Sequence, residues 1–140
     1  MKMTRKGLMG LAFLLFCMVL PGCAREEEER PGKIEIHFFY NEPCASCDGT
    51  KDFYRVVKEE LGDVSDRYPY EIYPHNVFQA SAAMDRDREL GKLGYSQEVI
   101  GSLTYPIMTV NGKAYLGMDS ISQSLREAYL TAGEDLFVYD

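Results

Sequence analysis

Tryptophan is absent from the sequence, and histidine occurs only twice, as His37 and His75. Positive charge is also scarce, because 15 Lys and Arg residues face 22 Asp and Glu residues and leave a net charge of −7. An acidic surface repels a phosphate backbone, so nucleic acid is not an expected partner. The two histidines are not spaced like a zinc-finger pair, and we predict no metal site.

A long hydrophobic run is lacking as well. A membrane-spanning helix takes about 20 apolar residues, whereas the uncharged, mostly apolar run near the N-terminus covers only residues 7–20. It follows the positive charges of Lys2, Arg5 and Lys6, and this order is typical of a signal peptide. A signal anchor or an ordinary secretory signal is the alternative.

The run ends in Leu20-Pro21-Gly22-Cys23, which resembles the lipobox of bacterial lipoproteins. The resemblance implies that residues 1–22 are removed and that Cys23 is lipidated. The protein is then expected on the extracytoplasmic face of the bacterial membrane, anchored in the lipid bilayer by more than one acyl chain. Residues 23–32 are predicted to be an acidic, flexible spacer, and residues 33–140 to be a single domain.

Cysteine is scarce, with four in the whole chain. Cys17 is expected to leave with the signal peptide, and Cys23 to carry the lipid. Cys44 and Cys47 are the pair that remains in the domain, separated by two residues.

The domain has alternating strand and helix patterns. Residues 33–40 are rich in β-branched and aromatic side chains and become apolar on both faces, which is typical of an inner strand. Asn111-Gly112 between two strand-like runs indicates a type I′ hairpin. The predicted elements are a strand at 33–40, a helix at 44–61, a strand at 70–74, an insert at 76–104 with helices at 79–92 and 96–103, a hairpin at 104–117 and a last helix capped by Ser120. In the insert, Met84 and Leu90 fall on the same predicted helix face.

A Cys-x-x-Cys pair between a strand and a helix is the arrangement found in thioredoxin-like proteins. The sequence resembles the thioredoxin superfamily at Cys44-Ala45-Ser46-Cys47, at Tyr105-Pro106, and at Asn111-Gly112 followed by Gly117. The resemblance covers residues 33–132. It implies an α/β fold, a thioredoxin-like three-layer sandwich with a central mixed sheet, helices on both faces and a helical insert before the cis-proline hairpin.

The resemblance also implies the roles of four residues. Cys44 and Cys47 would form a redox-active disulfide that needs no further cofactor. A helix N-terminus lowers the pKa of a thiol, so we expect Cys44 to be the exposed nucleophile and Cys47 to be the more buried, resolving thiol. Pro106 is expected to follow a cis peptide bond, and the backbone of Tyr105 to pair with an extended substrate segment. An ordinary trans proline at an edge strand is the alternative.

The sequence departs from the superfamily at two places. Pro43 stands where an aromatic residue usually precedes the first cysteine, and Phe38 stands where thioredoxins carry a buried acid that moves protons at the resolving cysteine. Glu42 and Asp48 lie nearby and are expected to raise the pKa of the first cysteine. Because Ala45-Ser46 offers no cation, the thiolate gains little stabilisation, which favours a reductase or isomerase over a strong oxidant.

These observations predict an enzyme, a membrane-tethered thiol–disulfide oxidoreductase. Its expected partners are cysteine-containing exported proteins and an electron donor or acceptor in the membrane. One alternative is a binding module that recruits a partner through residues 76–104 while the disulfide stays closed. Another is a structural disulfide, although closing so short a loop contributes only about 2 kcal/mol. The third is a copper site made of two thiolates and one distant histidine.

Overall fold

The structure, a computed structural model, describes residues 32–138 of the chain. The predicted signal peptide, Cys23 and the predicted spacer apart from Gly32 lie outside the described residues. No helix within residues 32–138 is long and apolar enough to cross a membrane. The described elements are β1 (Ile34–Tyr40), α1 (Lys51–Leu61), β2 (Tyr70–Asn76), α2 (Ala80–Lys92), α3 (Gln97–Ile100), β3 (Ile107–Val110), β4 (Lys113–Leu116) and α4 (Met118–Phe137).

The strands of the described region form one mixed, four-stranded sheet in the order β2-β1-β3-β4. β1 and β2 are parallel, whereas β1 with β3 and β3 with β4 are antiparallel. α1 connects the two parallel strands, as a parallel pair requires a crossover. The structure therefore confirms the predicted α/β fold with a mixed sheet.

Helices cover both faces of the sheet because β1 buries side chains on both of its sides. Phe38 stacks on Phe53 of α1 with ring centroids 3.9 Å apart, in the core that α4 completes. Phe39 follows in the strand and so points to the opposite face. There it packs with Leu90 of α2 and Ile100 of α3. β1 is thus the inner strand that its sequence predicts.

The hairpin between β3 and β4 is present as predicted. Its two turn residues have positive φ angles, 46° at Asn111 and 72° at Gly112. A type I′ turn requires this conformation at both positions, and asparagine followed by glycine adopts it at the lowest cost. Shortly before β3, the peptide bond between Tyr105 and Pro106 is cis, as the resemblance implies.

The start of α4 differs from the prediction. The helix begins at Met118, and Ser120 lies inside it rather than capping it. Gly117 has a φ of 81°, which lets the chain turn from β4 directly into the helix. Asp119 then lies in the first turn, where its negative charge faces the positive end of the helix dipole. α4 continues to Phe137 and takes in most of the C-terminal tail.

The buried face of α2 also differs from the prediction. Leu90 is buried as expected, but Met84 is 70% exposed, and Ala82 is buried instead. The reason is a polar contact on the inner side of the helix, where Arg86 Nη1 donates a hydrogen bond of 2.6 Å to the hydroxyl of Tyr105. Ala82, Arg86 and Leu90 are spaced four residues apart and share this inner face, so Met84 falls on the outer side of the helix.

α4 packs closely against the segment that joins α1 to β2. The hydroxyl of the fully buried Tyr129 accepts a hydrogen bond from the N–H of Tyr68 and donates one to its carbonyl oxygen, both at 2.9 Å. One turn further along α4, a Cβ atom on Gly133 would lie only 2.0 Å from the ring of Tyr68. The missing side chain at Gly133 therefore makes room for this ring.

We expect Gly133→Ala to lower the free energy of unfolding by about 1–3 kcal/mol, because the added methyl group overpacks the contact with Tyr68. Gly91→Ala is the matched control. Gly91 lies in α2, no atom lies within 4 Å of its Cβ position, and alanine is the better helix former by up to about 1 kcal/mol. Urea unfolding followed by circular dichroism should give opposite signs for the two changes. Two changes of equal sign would contradict the packing described for Gly133.

Candidate functional site

Cys44 and Cys47 lie in the loop between β1 and α1, residues 41–50. α1 begins only at Lys51, so the predicted helix start at the first cysteine is wrong. The field of a helix dipole falls off within the first turn. Neither sulfur therefore lies in the part of the helix where a thiolate gains most from the dipole.

The late start of α1 has two causes, a turn at Asp48 and the close approach of Gly49 to Tyr40 across the loop. The carboxylate of Asp48 accepts hydrogen bonds from the N–H and the hydroxyl of Thr50, at 3.0 and 2.6 Å, and closes a turn ahead of the helix. These bonds lower the pKa of Asp48. Gly49 lies against the ring of Tyr40, where a Cβ would come within 2.5 Å of a ring carbon. The turn and this close approach determine the path of the loop.

The two sulfurs form a disulfide, with the Cα atoms of Cys44 and Cys47 5.2 Å apart. The N–H of Cys47 donates to the carbonyl oxygen of Cys44 at 3.2 Å, so the pair closes a tight turn of its own. Sγ of Cys44 also lies 3.4 Å from the hydroxyl of Ser46. The bond joins no two secondary-structure elements.

The exposure of the two cysteines reverses the prediction. Cys44 is half-buried and Cys47 is exposed. The prediction assumed that the second cysteine lies one turn inside a helix and beneath its first turn. Because the pair lies in a turn before α1, the first turn of that helix does not cover Cys47, and its side chain stays exposed.

Glu42 joins the site, where the sequence predicted only an effect of its charge on the pKa of the first cysteine. A carboxylate oxygen of Glu42 and the two sulfurs all lie within 4.8 Å of one another. The carboxylate also accepts a hydrogen bond of 3.0 Å from the N–H of Cys44. Its position two residues before the first cysteine was the available signal, because a turn at Pro43 can bring such a side chain back over the pair.

The end of β2 holds the backbone of Glu42 in place. Asn76 accepts a hydrogen bond from the N–H of Glu42 at 3.2 Å and donates one to its carbonyl oxygen at 2.8 Å. Asn76 also accepts a bond of 3.3 Å from the N–H of Phe78. One side-chain amide thus connects the cysteine loop to the first residues of the insert.

Tyr105 and Pro106 line a groove beside the loop. This cavity of about 250 Å³ is also lined by Tyr40, Glu42 and Met118. The cysteines are not among its lining residues, so Glu42 is the residue that the groove and the disulfide share. Cys44 and Cys47 therefore lie close to Glu42, which also lines the groove of Tyr105 and Pro106.

The insert contacts the groove at Tyr105, which packs against the cluster of Leu90 and Ile100 and is hydrogen-bonded to Arg86. The hydroxyl of Tyr105 accepts the hydrogen bond from Arg86, which also forms an ion pair with Asp87. Burial opposes the positive charge of Arg86, but these two hydrogen bonds outweigh it and raise the pKa of Arg86 above its ordinary value. The side chain of Tyr105 is therefore fixed in place by α2.

The two histidines form a separate cluster on the sheet. Nδ1 of His37 and Nε2 of His75 are 3.0 Å apart, and each ring has a carboxylate on its far side, Glu35 at 3.7 Å and Asp85 at 3.6 Å. Their ring centroids are 5.3 Å apart and the planes differ by 19°. Burial, followed by the neighbouring His37, lowers the pKa of His75.

The residues that could bind a metal lie in two separate places, the cysteine loop and the histidine cluster. Among residues 32–138, three ligand atoms come within 4.8 Å of one another at Glu42, Cys44 and Cys47, and neither histidine belongs to that group. The alternative of a copper ion held by two thiolates and a distant histidine is therefore not supported. The larger cavity of about 410 Å³ lies at the start of β1, beside His37 and the hairpin turn, away from the cysteine loop.

No protein-family model matches the chain, and no curated protein and no solved structure matches it. The α/β fold, the mixed sheet and the Cys44–Cys47 disulfide are compatible with a thioredoxin-like arrangement. The likeness to that superfamily rests on these features and on the motifs in the sequence.

The lowered pKa of His75 predicts how the free energy of unfolding depends on pH. Its folded pKa lies below the ordinary value of 6.5, so the unfolded chain takes up the proton first as the pH falls. The stability that neutral His75 contributes is therefore present above pH 6.5 and is lost as the pH falls from there towards the folded pKa. We expect urea unfolding between pH 7.5 and 5 to show this decline, and His75→Gln to flatten it. An equally steep decline in both proteins would contradict the burial of a neutral His75.

Proposed function

We propose that the protein is a thiol–disulfide oxidoreductase with a thioredoxin-like fold, which exchanges disulfides with cysteine-containing exported proteins through Cys44 and Cys47. The observation that carries the proposal is an accessible disulfide next to a half-buried carboxylate and the groove of Tyr105 and Pro106. The bond closes a turn within one loop, so it contributes little to holding the fold together.

In the reductive direction the reduced pair passes two electrons to a substrate disulfide. One protein thiolate attacks a substrate sulfur, forms a mixed disulfide and releases the other substrate sulfur as a thiolate. The second protein thiolate attacks the protein sulfur of the mixed disulfide, which re-forms the Cys44–Cys47 bond and releases the second substrate thiolate. The two protons from the protein thiols end on the two substrate sulfurs.

The exposure of the pair supports Cys47 as the first point of contact with a partner. Cys47 is exposed and Cys44 is half-buried, and access is one of the factors that determine which sulfur reacts. Cys44, in contact with Glu42 through its N–H, then completes the exchange. Alkylation of the reduced protein with a limiting amount of reagent should label Cys47 before Cys44.

Glu42 supplies the proton acceptor that Phe38 cannot. Phe38 is buried in the apolar core against Phe53. The Glu42 carboxylate lies within 4.8 Å of both sulfurs, a separation that one bridging water molecule spans for proton transfer. As a neutral acid it returns the proton when the disulfide re-forms and the substrate thiolate leaves.

The groove of Tyr105 and Pro106 is the proposed binding site for the substrate. Tyr105 and Pro106 precede β3 and lie outside its ladder with β1, which begins at Ile107. Their backbone lies next to the sheet without belonging to it, which suits the addition of an extended substrate segment. Such binding tolerates many side chains, as an enzyme that acts on many exported proteins requires.

The proposed location rests on the N-terminal sequence alone. Residues 1–22 act as the signal peptide, Cys23 carries the lipid, and the domain works at the extracytoplasmic face of the membrane. A partner in the membrane supplies the electrons. Metabolic labelling with a fatty acid would attach label to the full chain and not to its Cys23→Ser variant, and equal labelling would exclude the anchor.

The reductase or isomerase direction is supported by what surrounds the sulfurs. α1 begins after both cysteines, and the carboxylate of Glu42 lies within 4.8 Å of the sulfurs. A negative charge disfavours thiolates, and the sulfurs lack the compensation that a helix N-terminus gives. The disulfide is therefore comparatively hard to reduce, unlike that of a strong oxidant.

The first test is the equilibrium of residues 24–140 with thiol redox buffers, with the oxidised fraction measured by alkylation. We expect a reduction potential near roughly −270 mV, the value of thioredoxin, because the thiolates gain little stabilisation. A potential near roughly −120 mV would make the protein an oxidant. A disulfide that exchanges with no buffer would exclude the oxidoreductase.

Glu42→Gln should slow thiol–disulfide exchange at pH 7 by about 100-fold, the lower end of what a positioned acid–base group contributes. Glu98→Gln, at an exposed position of α3, is the control that removes the same charge away from the sulfurs. Equal rates for Glu42→Gln and this control would exclude proton transfer by Glu42.

The binding module is the second candidate, because the insert carries exposed apolar side chains. Phe78 is 62% exposed and Met84 is 70% exposed. In this candidate the insert recruits a partner and the disulfide stays closed. Cys44→Ser separates the two candidates, since it abolishes exchange but leaves recruitment of the partner unchanged.

A further inference from the structure

We propose that the reduced protein binds one soft divalent cation, for which Zn²⁺ is the test ion, through the thiolates of Cys44 and Cys47 and the carboxylate of Glu42. The inference needs a reducible disulfide, and it does not rest on exchange with a substrate. It departs from the absence of a metal site that the sequence alone predicts, because Glu42 was not counted there as a ligand.

The three donor atoms of the proposed site lie close together before any metal binds. A carboxylate oxygen and the two sulfurs lie within 4.8 Å of one another in the disulfide form. Tetrahedral zinc with Zn–S of about 2.3 Å and Zn–O of about 2.1 Å holds such donors about 3.6–3.8 Å apart. Reduction breaks the S–S bond and lets the sulfurs separate, so the three donors reach this spacing through side-chain rotation within one loop.

The loop also presents the donors in a suitable way. Both cysteines lie in a turn outside α1, so their side chains are not committed to a helix surface. The Glu42 carboxylate accepts the N–H of Cys44, and Asn76 holds the Glu42 backbone with two hydrogen bonds. Ligands that are oriented by such neighbouring hydrogen bonds bind metal more tightly. The exposure of Cys47 leaves a route of entry and a fourth position for water.

The donor set selects the ion. Thiolates favour zinc and other soft cations and exclude Mg²⁺ and Ca²⁺, which take oxygen ligands. Two thiolates and one carboxylate carry three negative charges, so a divalent cation relieves their mutual repulsion. Asp48 is not counted as a ligand, because it does not belong to the group of donor atoms within 4.8 Å of one another, and its Oδ1 accepts both hydrogen bonds from Thr50.

Formation of the site is balanced in atoms and electrons. A trialkylphosphine and water reduce the disulfide to two thiols, and the phosphine leaves as its oxide. The cation then displaces one proton from each thiol, so affinity rises with pH. A thiolate held by the cation is a weaker nucleophile, because one of its electron pairs is donated to the metal, so the bound ion slows attack on a disulfide and competes with exchange.

The test is a titration of the full-length chain in detergent, with Cys17→Ser and Cys23→Ser in the background so that no other thiol competes. Zn²⁺ affinity is measured at pH 7.5 against a chromophoric chelator. We expect one Zn²⁺ per reduced chain, and at least 100-fold weaker binding by the disulfide form. Equal affinity in the two redox forms would overturn the proposal.

Two carboxylate variants test the third ligand. Glu42→Gln should weaken Zn²⁺ binding at least tenfold, whereas Asp48→Asn should change it less than threefold. The opposite ranking, or no effect of Glu42→Gln, would overturn the assignment of Glu42. Co²⁺ added to the same reduced variants reports on the sulfurs independently, since the thiolate-to-cobalt absorption should persist in Glu42→Gln and vanish in Cys47→Ser. Its persistence in Cys47→Ser would exclude a site built on both thiolates.

Discussion

β1 has to bury aromatic side chains on both faces at once, and the helices that cover these faces are placed by that constraint. Phe38 meets Phe53 of α1 on one face, and Phe39 meets Leu90 of α2 on the other. β1 also pairs with strands on both of its edges. A strand fixed on all four sides has a defined end, so the chain leaves it at Tyr40 in a fixed place and direction.

The chemistry of the site begins at this fixed end. The loop runs from Tyr40 to Lys51 between two anchored elements, so its few residues have little freedom. Asn76, at the end of the neighbouring parallel strand, lies level with Tyr40 in the register and reaches Glu42. The position of the carboxylate beside the sulfurs thus follows from strand pairing as much as from the loop itself.

The features that could be predicted from the sequence are those with local causes. The two-sided apolar pattern of β1 and the Asn111-Gly112 turn act within a few residues, and the motifs pointed to Cys44, Cys47 and Pro106. The start of α1 depends on how Gly49 passes the ring of Tyr40 across the loop. Asn76 lies 34 residues from Glu42, and such a bond has no sequence signal. The exposure of the cysteines depends on both of these contacts, so its prediction from the sequence was wrong.

The contact between Gly49 and Tyr40 also restricts which residues relatives of this protein can carry at these two positions. Any side chain at Gly49 collides with the ring, whereas the residues between the cysteines, Ala45 and Ser46, are exposed. Relatives that keep this loop should therefore vary freely between the cysteines and keep glycine two residues after the second one, or else carry a smaller residue in place of Tyr40. Glu-x-Cys-x-x-Cys-x-Gly, with asparagine at the end of the next parallel strand, is the pattern by which they can be recognised.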